Sequence, residues 1–139
     1  DWIFIRYAEV LLNYAEAKNE ASGPDASVYD AINLVRPRAG QPALAGLSQA
    51  EMREKIRNER RVELSFEEHR FFDVRRWKLG TTYFKEQIRK VQIFRQTDGT
   101  LIYSYPVWEQ RDYREFQDLL PIPQNEIDRN SKLVQNNGY

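Results

Sequence analysis

Apolar positions near the start of the chain recur at helical spacing. Ile3, Phe4, Tyr7, Ala8, Leu11, Leu12 and Ala15 share one broad face, and Arg6, Glu9, Asn13, Glu16 and Glu20 form the opposite stripe. The pattern predicts a helix already under way at the first residues and ended by Gly23-Pro24. Alanines at 8, 15, 17 and 21 leave room for a second helix to approach closely. "DASVYDAINLVRPRAG" supplies it, with Val28, Ala31, Ile32 and Val35 in line, Pro37 in the last turn, and Gly40 and Pro42 closing it. Two helices joined by a short turn predict an antiparallel, tetratricopeptide-like hairpin.

A third helix has the clearest start. Ser48 is its N-cap, Glu51 closes a capping box, and Leu47 staples onto Met52. From Met52, steps of four and three reach Ile56, Glu59, Glu63, Phe66, Arg70, Asp73 and Trp77. Charges therefore interrupt the apolar stripe itself, while Arg61, Ser65, Glu68 and Arg75 lie opposite and can be solvated. A break is expected between Phe66 and His69, and Gly80 is expected to end the segment. Beyond it, "KVQIFRQTDGTLIYSY" reads as a β-hairpin with Asp98-Gly99 in a type I′ turn. That register pairs Phe94 with Tyr103 and Gln92 with Tyr105, so Gln92, Phe94, Gln96, Leu101, Tyr103 and Tyr105 share a face. The tail "FQDLLPIPQNEIDRNSKLVQNNGY" holds an apolar run, two prolines, a short capped turn and an extended end. The expected fold class is mainly α, a helical hairpin scaffold with a small β-hairpin and an irregular C-terminal tail.

Composition narrows the function. The 139 residues carry 21 basic and 21 acidic side chains, without the basic field that nucleic acid or an anionic membrane requires. Cysteine is absent and His69 is the lone histidine, so no metal site or cofactor is expected. No apolar run has transmembrane length, and no phosphate-binding glycine loop occurs. Ser65 lies at helical spacing from His69, but no nucleophile elbow surrounds it. The helix interior at the first residues, with no cap, reads as a fragment of a longer chain lacking its N-terminal part.

Two clusters remain. In "ERRVELSFEEHRFFDVRRW", Glu59, Glu63 and Glu67 follow one another at one-turn spacing. A glycosidase sets two carboxylates across a cleft, roughly 5–9 Å apart. Side-by-side carboxylates with arginines nearby favour an ionic scaffold. Glu59, Glu63, Arg70 and Asp73 are its expected members, with Arg6, Arg36 and Arg38 as partners. The second cluster is Tyr103, Tyr105 and Trp108 beside Gln92 and Gln96, whose composition suits stacking on sugar rings. The alternative is that these rings cover the helical hairpin as core.

Laid out in order, "RYAEVLLNYAEA", "AINLVRPRAG", "MREKIRNERRVELSFEEHRFFDVRRW", "LLPIPQNEI" and "LVQNNGY" resemble the C-terminal region of the SusD/RagB family over nearly the whole chain. The resemblance implies a surface-exposed outer-membrane lipoprotein of Bacteroidetes. Such proteins are not enzymes; they bind glycans, in some cases peptides, and pass them to a TonB-dependent SusC-type transporter. It implies a lipid anchor on the missing N-terminal part and ligand contacts largely upstream. Departures are Glu68 where the family usually has Gly, the uncommon Pro37, and Ser131 and Asn137 in place of prolines. The ending "QNNGY" resembles the family's natural C-terminus. A tetratricopeptide-like protein adaptor and a glycoside hydrolase are the competing expectations.

Overall fold

The computed structural model describes residues 4–139, so Ile3 lies outside the described residues. The chain forms two compact units, Asp1–Arg70 and Phe71–Tyr139.

The first unit is helical: α1 (Tyr7–Ser22), α2 (Ala26–Val35) running into a 3₁₀ turn (Arg36–Ala39), and α3 (Gln49–Glu63). Leu12 and Ala15 of α1, Val28, Ala31, Ile32 and Val35 of α2, and Met52 and Ile56 of α3 close one buried core with Leu64. Each such fully buried large side chain contributes about 1.5–3 kcal/mol relative to exposure. Ends and loops are tied by side chains. Asp25 caps α2 through Ser27 N and Val28 N, and Ser48 and Glu51 form the expected capping box on α3. Asn33 exchanges two hydrogen bonds with the backbone of Leu44, and the Tyr29 hydroxyl does the same with Leu47. Asn19, wholly buried in α1, donates to Gln49 O while Gln49 Nε2 donates to Asn19 O.

Two expectations need correction here. The first helix does not run through Phe4; it begins at Tyr7, and Arg6 is extended at φ −132°, ψ 159°. Phe4 and Tyr7 are exposed. From this extended backbone the Arg6 guanidinium reaches Glu63 and Glu67. Phe66 also leaves the stripe and is 99% exposed. The helix ends at Glu63, a few residues before the expected break at Phe66 to His69, and the chain turns through left-handed conformations at Phe66 (φ 64°) and Glu68 (φ 65°) before α4. This conformation costs a side-chain-bearing residue about 1–2 kcal/mol. Glu68→Gly should therefore raise stability by roughly 0.5–1 kcal/mol after the loss of unfolded-state restriction, and Glu68→Val should lower it. Urea midpoints in the reverse order would show that the loop is unstrained.

The second unit holds α4 (His69–Arg76) from Phe71 onward, α5 (Gly80–Tyr83), four short strands, a 3₁₀ turn (Glu115–Asp118) and α6 (Gln124–Arg129). Gly80 does not terminate α4. The helix stops at a left-handed Lys78 (φ 55°), where Lys78 N donates to Arg75 O and Leu79 N to Val74 O. Gly80 instead opens α5, buried beneath the Tyr113 ring. Strands β1 (Ile88–Arg89), β2 (Gln92–Arg95), β3 (Leu101–Ser104) and β4 (Val107–Glu109) form one interrupted antiparallel hairpin, β2 on β3 near the tip and β1 on β4 at the base. The tail is held by side chains that stand in for strand partners. Gln135 exchanges two bonds with Ile122, Asn136 donates to Leu120 O, and the Tyr139 hydroxyl donates to Leu119 O. The architecture is mainly α with a small β-hairpin.

Candidate functional site

The carboxylate cluster is an ion network. Arg36 Nη1 lies 2.6 Å from Glu59 Oε2, both side chains nearly buried. Glu63, its side chain 5% exposed, receives Arg6 Nη1 at 2.7 Å and also pairs with Arg38. Arg6 Nε bonds both oxygens of Glu67 at 3.0 and 2.8 Å. On α4, buried Asp73 accepts from Arg76 Nε at 2.9 Å, and Arg70 is half-buried. Ser65 is exposed, and His69 lies 3.6 Å from Glu9, so the pair that helical spacing suggested has no hydroxyl–imidazole bond. Guanidinium donors occupy Glu59, Glu63 and Glu67, which leaves no carboxylate of this row facing another across a cleft.

The bond to Arg6 holds the Glu67 carboxyl below its ordinary range, against the opposing effect of partial burial. A carboxyl whose folded pKa lies below its unfolded value of about 4.3 stabilises the fold fully above that value, and the contribution disappears as pH falls through the folded pKa. Glu67→Gln should thus be less stable than the parent at about pH 7, with the gap closing towards about pH 2. A gap of equal size at both pH values would show that the ionised form has no special role.

The aromatic cluster lies on the hairpin, and its register differs from expectation by one residue. Gln92 faces Ser104, Ile93 faces Tyr103, Phe94 faces Ile102 and Arg95 faces Leu101. The loop has three residues, not two. Gln96 N donates to Thr100 O, Gly99 N donates to Gln96 O, and Gly99 takes φ 87° while Asp98 Oδ1 accepts from Thr100 N. This is a type I turn followed by a left-handed glycine, a loop that Asp-Gly serves as well as a type I′ turn. A one-residue slip sends every side chain of one strand to the other face. Gln92 and Phe94 therefore stand opposite in face to Leu101 and Tyr103, and the Gln92–Tyr103–Tyr105 face does not form.

Two faces replace it. Ile93, Arg95, Leu101 and Tyr103 share one, with Tyr105 directly after β3; Gln92, Phe94, Ile102 and Ser104 share the other. At the base, Ile88 pairs with Glu109 and Arg89 with Val107, which leaves Trp108 as the extra residue of a β-bulge. Bulges re-aim side chains. Here Trp108 meets the ammonium of Lys90, 4.8 Å from its ring centroid. Within this chain Tyr103, Tyr105 and Trp108 are 52, 57 and 67% exposed, and Gln92 is half-buried. Exposed rings flanked by an ammonium, guanidinium groups and amides can stack on the apolar face of a sugar and bond its hydroxyls. The Trp108 bulge was not legible, because one inserted residue leaves the alternation of types almost unchanged.

The profile of the SusD family matches residues 1–139. SusD-like protein P2 of Formosa agariphila is 38% identical over 149 aligned positions, which cover 100% of this chain and 26% of that protein. A SusD-like protein from Bacteroides fragilis superposes with a TM-score of 0.85 at 39% identity, over 99% of this chain and 26% of that one. A SusD homolog from Bacteroides thetaiotaomicron gives 0.69 at 35% identity, over 99% and 27%. The chain spans about a quarter of the length of the curated relatives it matches. Among the described residues no helix is long and apolar enough to cross a membrane. With its ordered motifs, helical hairpin, hairpin of exposed rings and full-length profile match together, the chain belongs to the SusD family, whose members in general bind glycans for nutrient uptake.

Proposed function

We propose that this chain is the C-terminal part of a longer, non-catalytic glycan-binding protein of the cell surface. The protein holds oligo- or polysaccharide and delivers it to a TonB-dependent transporter of the SusC type in the outer membrane. Its membrane attachment is a lipid anchor on the upstream part. The observation that supports a ligand role for this region is the exposure of Tyr103, Tyr105 and Trp108 on a hairpin open on both faces. Family membership supports the rest. A catalytic reading draws no support from Glu59, Glu63 and Glu67, each held by arginine.

The test uses the full-length protein on a glycan array, followed by titration of the glycan it retains. Trp108→Ala and Tyr105→Ala should each weaken binding by ~3–10-fold, the range of one aromatic contact. Unchanged affinity in both would remove the hairpin rings from the ligand contacts. An array with no retained glycan, together with capture of a defined protein partner, would favour a tetratricopeptide-like adaptor. Reducing-sugar release abolished by Glu63→Gln would favour a hydrolase.

A further inference from the structure

We propose that the second unit carries a further carbohydrate subsite, at the base of the hairpin and apart from Tyr103 and Tyr105, that takes a neutral pyranose ring. The inference rests on the glycan-binding reading above. Its site is a cleft of about 440 Å³ whose apolar part is Phe71, Phe84 and Tyr113 and whose polar wall is the segment 109–112. That volume lies in the range of small-molecule pockets.

The aromatic part is held rigidly. The Arg75 guanidinium lies 3.6 Å from the Phe71 centroid, 5.2 Å from Phe84 and 5.6 Å from Tyr113. Arg75 Nε donates to Gln117 O at 3.2 Å, and Nη1 donates to Phe71 O at 3.3 Å. Phe84 and Tyr113 stack tilted with centroids 5.4 Å apart, and the buried Tyr113 hydroxyl donates to Asp118 at 2.9 Å. These rings keep their places without a ligand.

The wall is different. Gln110 Nε2 makes only long contacts, 3.5 Å to Lys85 O and 3.4 Å to Arg111 O. Glu109 meets Arg111 at 3.6 Å and Asp112 meets Arg114 at 3.2 Å, both pairs on the open surface. Surface pairs of this kind are weak and exchange readily with another partner. An amide and two carboxylates free to re-pair beside a fixed aromatic floor match what a sugar ring requires, an apolar face to stack and hydroxyls to bond. The charges facing the cleft balance, Arg75 and Arg111 against Glu109 and Asp112. An anionic sugar would meet two carboxylates for its two arginines, so the balance selects a neutral ring.

The experiment uses the full-length protein in native affinity gels. The gels contain amylopectin, xylan or galactomannan as neutral probes, and polygalacturonate or alginate as anionic ones. Retardation by at least one neutral polymer is expected. The double variant Gln110→Ala/Asp112→Ala, at exposed positions that leave the fold alone, should weaken binding of that polymer ~10-fold at an unchanged melting temperature. Phe84→Ala should weaken it as well, and a folded-state spectrum decides whether that loss is read as binding. Retardation that the double variant leaves unchanged overturns the cleft while the glycan reading stands. Retardation by the anionic polymers alone overturns the neutral class. No retardation by any polymer counts against the glycan reading, and the cleft falls with it.

Discussion

Arg36→Ala should lower the unfolding free energy by about 3–5 kcal/mol, the cost of leaving a buried charge without its partner. Arg36 and Glu59 keep only 11 and 7% of their side-chain surface exposed and meet at 2.6 Å. Arg36 Nε also donates to Pro42 O at 2.8 Å, so the guanidinium joins the 3₁₀ turn, the following loop and α3 at one point. Removing it leaves the buried Glu59 carboxylate without its partner. The comparison is Arg53–Glu20, which has two bonds of 2.6 Å but considerable exposure. Solvent screens an exposed pair, so Arg53→Ala should cost much less than Arg36→Ala. Chemical denaturation of the two variants separates the cases. A cost below about 1 kcal/mol for Arg36→Ala would mean that Glu59 reaches water once its partner is gone. Replacing both members, as Arg36→Met with Glu59→Leu, should recover most of the loss, because a buried ion pair often contributes little beyond a well-packed apolar pair.

Much of the first unit was legible because periodicity and caps report on local geometry. The four-residue alignment Val28, Ala31, Ile32 and Val35 is the buried face of α2, and Ser48 with Glu51 marks the start of α3. The interrupted stripe was legible too, since Glu59 and Glu63 share a face with Met52 and Ile56 and meet Arg36, Arg6 and Arg38 from the hairpin. What escaped depends on backbone conformation at single residues. Arg6 was an expected partner of the network, but from within a helix; it meets Glu63 and Glu67 from extended backbone ahead of α1. Phe66 continues the stripe by count, yet left-handed turns at 66 and 68 send it into solvent. Glu68 occupies a left-handed conformation that glycine adopts without the Cβ clash.

The hairpin shows the same limit at the candidate site. Its rings were legible as residue types, and their exposure followed. Their grouping did not, because a loop of two residues and a loop of three give opposite faces from identical strands. Asp98 settles which forms: its carboxylate accepts from Thr100 N and its pKa is lowered, first by that backbone bond. The cleft beside Tyr113 was invisible for another reason. Phe71, Phe84, Tyr113 and the 109–112 segment come from three stretches of chain with no shared periodicity.

Gly80→Ala should destabilise the second unit by about 1–3 kcal/mol, the usual cost of overpacking. A Cβ at this position would stand 2.0 Å from Tyr113 Cε1 and 2.3 Å from Cζ, far inside contact distance. The ring cannot swing away cheaply. It is buried, stacked on Phe84, and tied through its hydroxyl to Asp118 Oδ1. Burial first, and then that bond, push the phenol up to about 12, so the hydroxyl stays a donor at neutral pH. Glycine at 80 thus serves close approach and not chain reversal, and it sets the position of one wall of the proposed cleft. A cycle of Gly80→Ala, Tyr113→Ala and the double variant checks this by urea denaturation. In the Tyr113→Ala background the Gly80→Ala penalty should vanish, because the atoms it strikes are gone. A penalty that persists there would place the clash on the backbone. The absence of any penalty in the parent would show that Tyr113 moves freely, and the cleft would lose its fixed floor.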